Sequence, residues 1–132
     1  MRIGIVGSGF GVYGWLSAVS NFKEIKIFTL LRYKKKVLNR KDINNLSILT
    51  KSISWIESEE YLYKNIDILI IARRPIDQIE TINYLIDQSW KGSLIIEKPI
   101  APTPDLATKI INRLSKNNVS LQVGFSINET DW

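Results

Sequence analysis

Four glycines crowd the segment GSGFGVYG, which follows an apolar run near the start of the chain: Gly7, Gly9, Gly11 and Gly14. A glycine-rich turn gains chemical meaning when it leaves a strand and opens a helix, because backbone N–H groups can then hold a phosphate. Gly7 can form the tight turn and Gly9 can let a pyrophosphate approach, with Ser8 and Phe10 beside them in the loop. The segment predicts a dinucleotide site, against the alternative of a merely flexible turn.

The third glycine of the strict pattern G-x-G-x-x-G is replaced by Val12. In dinucleotide-binding loops that glycine lets the helix pack closely on the strand. We therefore expect Gly11 or Gly14 to supply the close contact.

Two further polar segments follow apolar runs later in the chain. ARRPIDQ, residues 72–78, begins with Ala72, Arg73 and Arg74, and EKPIAPTP, residues 97–104, begins with Glu97 and Lys98. Ligands of open parallel sheets bind at the carboxyl ends of the strands, so both segments are candidate site residues. The arginine pair can hold a phosphate or a carboxylate, or can be two surface charges, and the sequence leaves both open.

These segments need a sheet to bring them together, and the chain alternates short apolar runs with helical spacing. Strands are predicted at 2–6, 25–31, 67–72, 93–97 and 119–125, with a weaker sixth at 46–50, and helices at 13–21, 58–64, 76–90 and 104–117. Pro75 opens the third helix, and Thr103 caps the fourth ahead of Pro104. The polar stretch 32–45 is predicted to be an exposed helix and loop. The pattern favours an α/β fold with a doubly wound parallel sheet of about six strands and helices on both faces.

Composition narrows the chemistry. A chain of 132 residues supports one core, so we expect one domain over residues 1–132. It has no cysteine and no histidine, which excludes disulfides, thiolate metal sites and the commonest acid–base group. The net charge of +5 suits an anionic ligand, but the basic run 34–41 lacks any nucleic-acid recognition motif. No apolar run is long enough for a membrane span and no signal peptide is visible, so we expect a cytoplasmic protein without membrane or nucleic-acid partners.

The order and spacing of these motifs resemble the Gfo/Idh/MocA oxidoreductases, the family of glucose–fructose oxidoreductase and inositol dehydrogenase. The resemblance rests on the glycine loop GSGFGVYGWLSA, on Glu97-Lys98-Pro99 after a strand, and on LQVGF at 121–125, and it covers essentially the whole chain. It implies an N-terminal dinucleotide-binding Rossmann domain. It also implies that Lys98 lies near the nicotinamide and the reacting hydroxyl, that the Lys98–Pro99 peptide is cis, and that Glu97 orients or charges a partly buried Lys98.

Departures from the family pattern limit what the resemblance transfers. Arg73 and Arg74 stand where relatives often have Thr or Asn before a proline, and Gln78 stands where a histidine is frequent. Relatives continue into a second α/β domain that forms the substrate wall and supplies catalytic Asp and His residues. We expect this chain to lack that domain, to bind a dinucleotide weakly and to be inactive on a sugar-like substrate by itself.

The residues after the second predicted strand predict which dinucleotide binds. NAD-binding domains usually place an acid there for the ribose 2′-hydroxyl, but no acid occurs between Glu24 and Asp42. Arg32 occupies or adjoins that position and can pair with a 2′-phosphate, so we expect NADP to be preferred over NAD. Two functions remain open: the cofactor-binding domain of an oxidoreductase acting on a sugar or cyclitol hydroxyl or carbonyl, and a non-catalytic nucleotide-binding module.

Overall fold

The computed structural model describes residues 1–7, 9–40 and 49–124, with only the backbone of Phe10. Within these residues six strands form one sheet: β1 (Arg2–Gly7), β2 (Lys26–Leu30), β3 (Ile53–Ile56), β4 (Ile68–Ala72), β5 (Ser93–Glu97) and β6 (Ser120–Gly124). The strand order is β3-β2-β1-β4-β5-β6, and every neighbouring pair is parallel. This is the order of dinucleotide-binding sheets, and the predicted fold class is confirmed.

Helices connect the strands and flank the sheet. They are α1 (Phe10–Ser20), α2 (Lys34–Leu38), α3 (Glu59–Lys64), α4 (Pro75–Asp87) and α5 (Pro104–Lys116), with 3-10 turns at Leu31–Tyr33 and Thr50–Ser52. The helix starts follow local chemistry, since Pro75 and Pro104 occupy first-turn positions and the Thr103 hydroxyl accepts a hydrogen bond from the Leu106 N–H. In the described part of the chain no helix is long and apolar enough to cross a membrane.

The core lies around the two central strands, which explains why their sequences are continuously apolar. Ile5 and Val6 of β1 and Leu69 and Ile71 of β4 are fully buried. Burial of each such side chain contributes about 1.5–3 kcal/mol relative to leaving it in water. The register pairs Gly7 with Ala72, so the ends of β1 and β4 lie side by side where the winding of the sheet reverses. Such a reversal leaves a crevice at the carboxyl edge.

One predicted strand was wrong. The weaker candidate at 46–50 is not a strand in its described part, because Leu49 and Thr50 are helical, and residues 46–48 lie outside the described residues. The strand beside β2 is instead Ile53–Ile56, an edge strand in which Ser54 is exposed and only Ile53 is buried. An edge strand with one solvent-facing side carries a weaker apolar signal than a central one.

Helix bounds also differ from the prediction in informative ways. The helix predicted over 76–90 ends at Asp87, because Ser89 adopts a left-handed φ of 53° and the Trp90 N–H donates to the Leu85 carbonyl. The stretch predicted as an exposed helix and loop is only partly exposed. Tyr33 and Val37 are buried within it, and residues 41–45 lie outside the described residues.

Candidate functional site

The turn after β1 is built around a glycine that no other residue can replace without strain. Gly7 has a φ of +146°, and a Cβ placed on it would lie 2.1 Å from the carbonyl oxygen of Ala72. Both observations follow from the side-by-side ends of β1 and β4. Gly7 therefore lets the chain turn at the point where the two halves of the sheet diverge.

The next glycine leaves an open space at the start of a helix. A Cβ on Gly9 would have no atom within 4 Å. Gly9 caps α1, its carbonyl accepts the first turn's hydrogen bond from the Val12 N–H at 3.1 Å, and no acidic residue lies in that turn. The N–H groups of this turn and the helix dipole favour an anion at that point. Of the other predicted loop residues, Phe10 begins α1, and Ser8 lies outside the described residues.

Gly11 makes the close contact between helix and strand that the sequence left open between Gly11 and Gly14. A Cβ on Gly11 would lie 2.7 Å from the Cβ of Ala72, whereas Gly14 is exposed on α1. Val12, at the position of the usual third glycine, is fully buried, and its Cγ2 lies 3.0 Å from where a Gly7 Cβ would stand. The pattern is therefore shifted by one residue while the packing is retained.

A cavity of about 680 Å³ opens beside this turn. It collects six of the predicted site residues from three strand ends: Gly7, Gly9, Arg32, Ala72, Arg73 and Arg74. Asp77 and Glu80 of α4 also line it, so acidic groups partly offset the three arginines. The carboxyl edge of the sheet thus brings the residues after β1, β2 and β4 into one mixed-charge cavity.

The three arginines of this cavity differ in their surroundings. The Arg73 side chain is only 14% exposed, donates to Glu59 Oε1 at 2.5 Å and donates to Thr81 Oγ1 at 2.8 Å. Arg74 is 80% exposed and pairs with Asp77 at 2.8 Å. Arg74 is therefore an exposed charge at the cavity, whereas Arg73 is a largely buried one.

Arg32 follows β2 and shares a carboxylate with Arg73. Its side chain is 58% exposed, pairs with Glu59 and donates to the Tyr33 hydroxyl at 3.2 Å. Its guanidinium carbon also lies 5.2 Å from the centre of the Tyr33 ring. Arg32 is thus held at the rim of the cavity by contacts that leave more than half of its surface accessible.

Glu59 is the residue of this cluster that the sequence reasoning missed. Its Oε2 accepts from the Tyr63 hydroxyl at 2.6 Å, and its Oε1 accepts from both Arg32 and Arg73. Burial disfavours its charge, but the hydrogen bonds from Arg73, Tyr63 and Arg32, together with the positive charge of Arg73, hold the pKa of Glu59 below its ordinary value. The pKa of Tyr63 shifts the other way: burial and the hydrogen bond to Glu59 raise it, so the Tyr63 hydroxyl keeps its proton and remains a hydrogen-bond donor.

The segment after β5 forms a second group of site residues. The Lys98–Pro99 peptide is cis, as the resemblance implies. The Glu97 Oε1 accepts from the Trp15 indole N–H at 2.7 Å, and the Glu97 Cγ lies 3.8 Å from where a Gly11 Cβ would stand. Glu97 is therefore held against the glycine loop by α1 and is not paired with Lys98, contrary to expectation. Lys98 is exposed, so the partial burial expected of it is not found in this domain.

Gln78 fastens this segment to α4. The side chain is 1% exposed, and its Nε2 donates to the carbonyls of Glu97 at 3.2 Å and Pro99 at 2.9 Å. Its Oε1 is buried without a hydrogen-bond partner among the described residues. The sequence marked Gln78 only as a departure from the family. Its role in holding the loop depends on contacts about 20 residues away, which no local pattern signals.

Comparison with known proteins places these features in a family. The family model Gfo/Idh/MocA, described as an oxidoreductase family with an NAD-binding Rossmann fold, matches residues 1–125. A comparison with curated protein sequences finds no match.

Solved structures share the fold at low identity. A Gfo/Idh/MocA family oxidoreductase from Vibrio cholerae is 15% identical, with a TM-score of 0.71. The match covers 95% of this chain and 38% of that protein's chain. An oxidoreductase from Agrobacterium radiobacter in complex with NAD+, L-tartaric acid and magnesium is 15% identical, with a TM-score of 0.69. The match covers 93% of this chain and 34% of that protein's chain. Biliverdin reductase from Synechocystis, in complex with biliverdin and NADP+, is 17% identical, with a TM-score of 0.66. The match covers 92% of this chain and 37% of that protein's chain. This chain thus spans little more than a third of the length of these structures.

Proposed function

Because the chain belongs to the Gfo/Idh/MocA oxidoreductase family and is an NAD(P)-binding Rossmann domain, we propose that it serves an enzyme that transfers hydride between a nicotinamide cofactor and a sugar or cyclitol. The reacting group would be a hydroxyl or a carbonyl. The substrate site would require a C-terminal domain that these 132 residues do not include.

The observation that carries the proposal is the glycine loop. Gly9 leaves an open space in front of the first turn of α1, where a side chain would otherwise stand, and the turn holds no acidic residue. These features fit the pyrophosphate of a dinucleotide, which needs close backbone approach and free N–H donors. In our assignment Gly7, Ser8, Gly9, Phe10 and Gly11 form the pyrophosphate loop.

The remaining site residues receive roles from their places along the carboxyl edge. Arg32 would meet the adenosine ribose and, in NADP, its 2′-phosphate. Ala72, Arg73 and Arg74 would border the dinucleotide after β4, with Arg73 acting mainly through its ion pair with Glu59. NADP would be preferred and NAD would also bind.

Glu97 and Lys98 would lie at the nicotinamide end. When bound, the nicotinamide supplies hydride transfer. Lys98 would hold the reacting oxygen of the substrate; its ammonium form would donate a proton to that oxygen when a carbonyl is reduced, and its neutral amine would accept the proton when a hydroxyl is oxidised. Trp15 and Gln78 would position this segment, since one binds the Glu97 carboxylate and the other binds the carbonyls of Glu97 and Pro99.

A second candidate, a non-catalytic nucleotide-binding module, is supported by two features of the chain. The sequence contains no histidine, and the carboxylate next to Lys98 is occupied by the Trp15 indole. Such a module would bind the same dinucleotide but would contribute no proton transfer. The two candidates differ in turnover: the protein that contains the oxidoreductase domain would have a hydride-transfer activity that depends on Lys98, whereas the module would have none.

The experiment that tests cofactor binding replaces Gly9 by valine. The position has room for a side chain and an ordinary extended backbone, with φ −112° and ψ −160°, so the fold should persist. The valine methyl groups would instead occupy the space that we assign to the pyrophosphate. In calorimetric titrations NADP+ affinity should fall at least tenfold, whereas Ala18→Val, at an exposed position of the same helix, should leave it unchanged. Unchanged affinity in Gly9→Val would contradict the assigned site.

A further inference from the structure

The Glu59 carboxylate lies at the same strand ends as the cofactor site that we propose. Glu59 is the first residue of α3, three residues beyond the end of β3, and β3 pairs with β2 in a register that matches Ile56 with Leu30. This register brings the acid to the end of β2, where Arg32 stands. The carboxylate that NAD-binding domains usually carry on β2 is thus supplied here from β3.

The two arginines that bind Glu59 are not equivalent. Arg73 is 14% exposed and is also anchored to Thr81, whereas Arg32 is 58% exposed. If Arg32 turned to another anion, Glu59 would keep its hydrogen bonds from Arg73 and Tyr63. Arg32 can therefore turn to a ligand without leaving the Glu59 carboxylate unpaired, although the bond between the two groups must be given up.

We propose that Glu59 is a specificity-determining residue of the dinucleotide site, an internal anion that competes with a ligand's 2′-phosphate for the guanidinium of Arg32. The inference rests on the proposed function. A 2′-phosphate must take Arg32 from Glu59 and is also repelled by the carboxylate, which stays nearby on Arg73. The 2′-hydroxyl of NAD meets neither obstacle and can donate to the carboxylate. Glu59 therefore reduces the ratio of NADP affinity to NAD affinity that Arg32 alone would produce.

The test removes the charge of Glu59 and measures ligands that differ only at the 2′ position. Adenosine 2′,5′-bisphosphate is compared with 5′-AMP, and NADP+ with NAD+, by calorimetry at fixed salt. Glu59→Gln should raise the affinity ratio of each 2′-phosphorylated ligand to its unphosphorylated partner about tenfold, because Arg32 is released to the phosphate and the repulsion between the two anions is removed. The matched control is Glu60→Gln, which removes the same charge one residue along, from a 58% exposed carboxylate that pairs with Lys64. It should change neither ratio.

Two further variants test whether Glu59 acts on ligand specificity through Arg32. Glu59→Asp keeps the charge but withdraws the carboxylate from both arginines by one methylene group, so it should shift the ratios in the same direction by a smaller factor. In an Arg32→Ala background the effect of Glu59→Gln should be smaller, because the competition for the guanidinium is gone and only the repulsion between the 2′-phosphate and the Glu59 carboxylate remains.

The outcomes distinguish this inference from the proposed function. Ratios that stay unchanged in Glu59→Gln while the ligands still bind would overturn the role of Glu59 and leave the dinucleotide site standing. An equal gain with and without Arg32 would also overturn the competition. Failure of the wild-type chain to bind any of the four ligands would refute the proposed function itself.

Discussion

Replacing Gly11 by alanine should destabilise the domain, because the added methyl group has no room between α1 and β4. It would lie 2.7 Å from the Cβ of Ala72, and carbon atoms in contact need about 3.5–4.0 Å. Helix and strand must therefore separate by about 1 Å, and overpacking of this kind costs about 1–3 kcal/mol. The higher helix propensity of alanine stabilises the folded state by up to about 1 kcal/mol and offsets part of this cost. After that gain is subtracted, we expect a net loss of up to about 2 kcal/mol in the free energy of unfolding.

Gly11→Ala should no longer lower the free energy of unfolding when residue 72 is glycine. Without the Ala72 Cβ, the nearest atoms to the new methyl group are the Ala72 Cα and the Glu97 Cγ, both at 3.8 Å, which is ordinary contact. In the Ala72→Gly background, Gly11→Ala should be neutral or stabilising by up to about 1 kcal/mol. Urea unfolding followed by tryptophan fluorescence of the four variants measures this cycle. Equal destabilisation in both backgrounds would refute the contact as the reason for glycine at position 11.

Two other perturbations separate the roles of the site residues. In a longer parent protein, Lys98→Ala should lower kcat far more than it weakens cofactor binding, because Lys98 would act on the reacting oxygen. Steady-state kinetics and cofactor titration measure the two effects, and unchanged turnover would remove Lys98 from the mechanism. The lowered pKa of Glu59 stabilises the fold above the ordinary carboxyl value of 4.5, and this stability is lost as the pH falls through the depressed pKa. Urea unfolding between about pH 3 and 6 should therefore show a steeper loss toward acid in the wild type than in Glu59→Gln, and identical slopes would contradict a charged Glu59 in the ion cluster.

The sequence predicted the parts of the fold that depend on local patterns. The strands β1, β4 and β5 are continuous apolar runs because both faces of a central parallel strand are buried. The start of α5 follows from Thr103 and Pro104, whose chemistry acts within one turn. By contrast, β3 was missed because only one of its four residues is buried, and its pairing with β2 is set by contacts across the sheet.

The candidate site was predictable as a set of positions but not as a set of contacts. Arg32, Arg73 and Arg74 could be assigned to one edge because each follows a parallel strand. Which of them is buried depends on Glu59, which lies 27 residues from Arg32 and 14 from Arg73 along the chain. Nothing in the spacing of those residues signals that one carboxylate joins two strand ends. The partner of Glu97 was missed for the same reason, since Trp15 is 82 residues away.

The relative affinity of the chain for NADP+ and NAD+ tests the assignment of this edge to a dinucleotide most directly. A charge-assisted bond from Arg32 to the 2′-phosphate contributes on the order of 1.5–3 kcal/mol, which corresponds to roughly 10- to 100-fold. Because Arg32 is 58% exposed and shared with Glu59, we expect the lower end of that range. Calorimetric titration at fixed salt should show NADP+ binding about tenfold more tightly than NAD+, with the difference lost in Arg32→Ala. Equal affinities, or a preference that survives Arg32→Ala, would contradict the role of Arg32, and no binding of either cofactor would contradict the site.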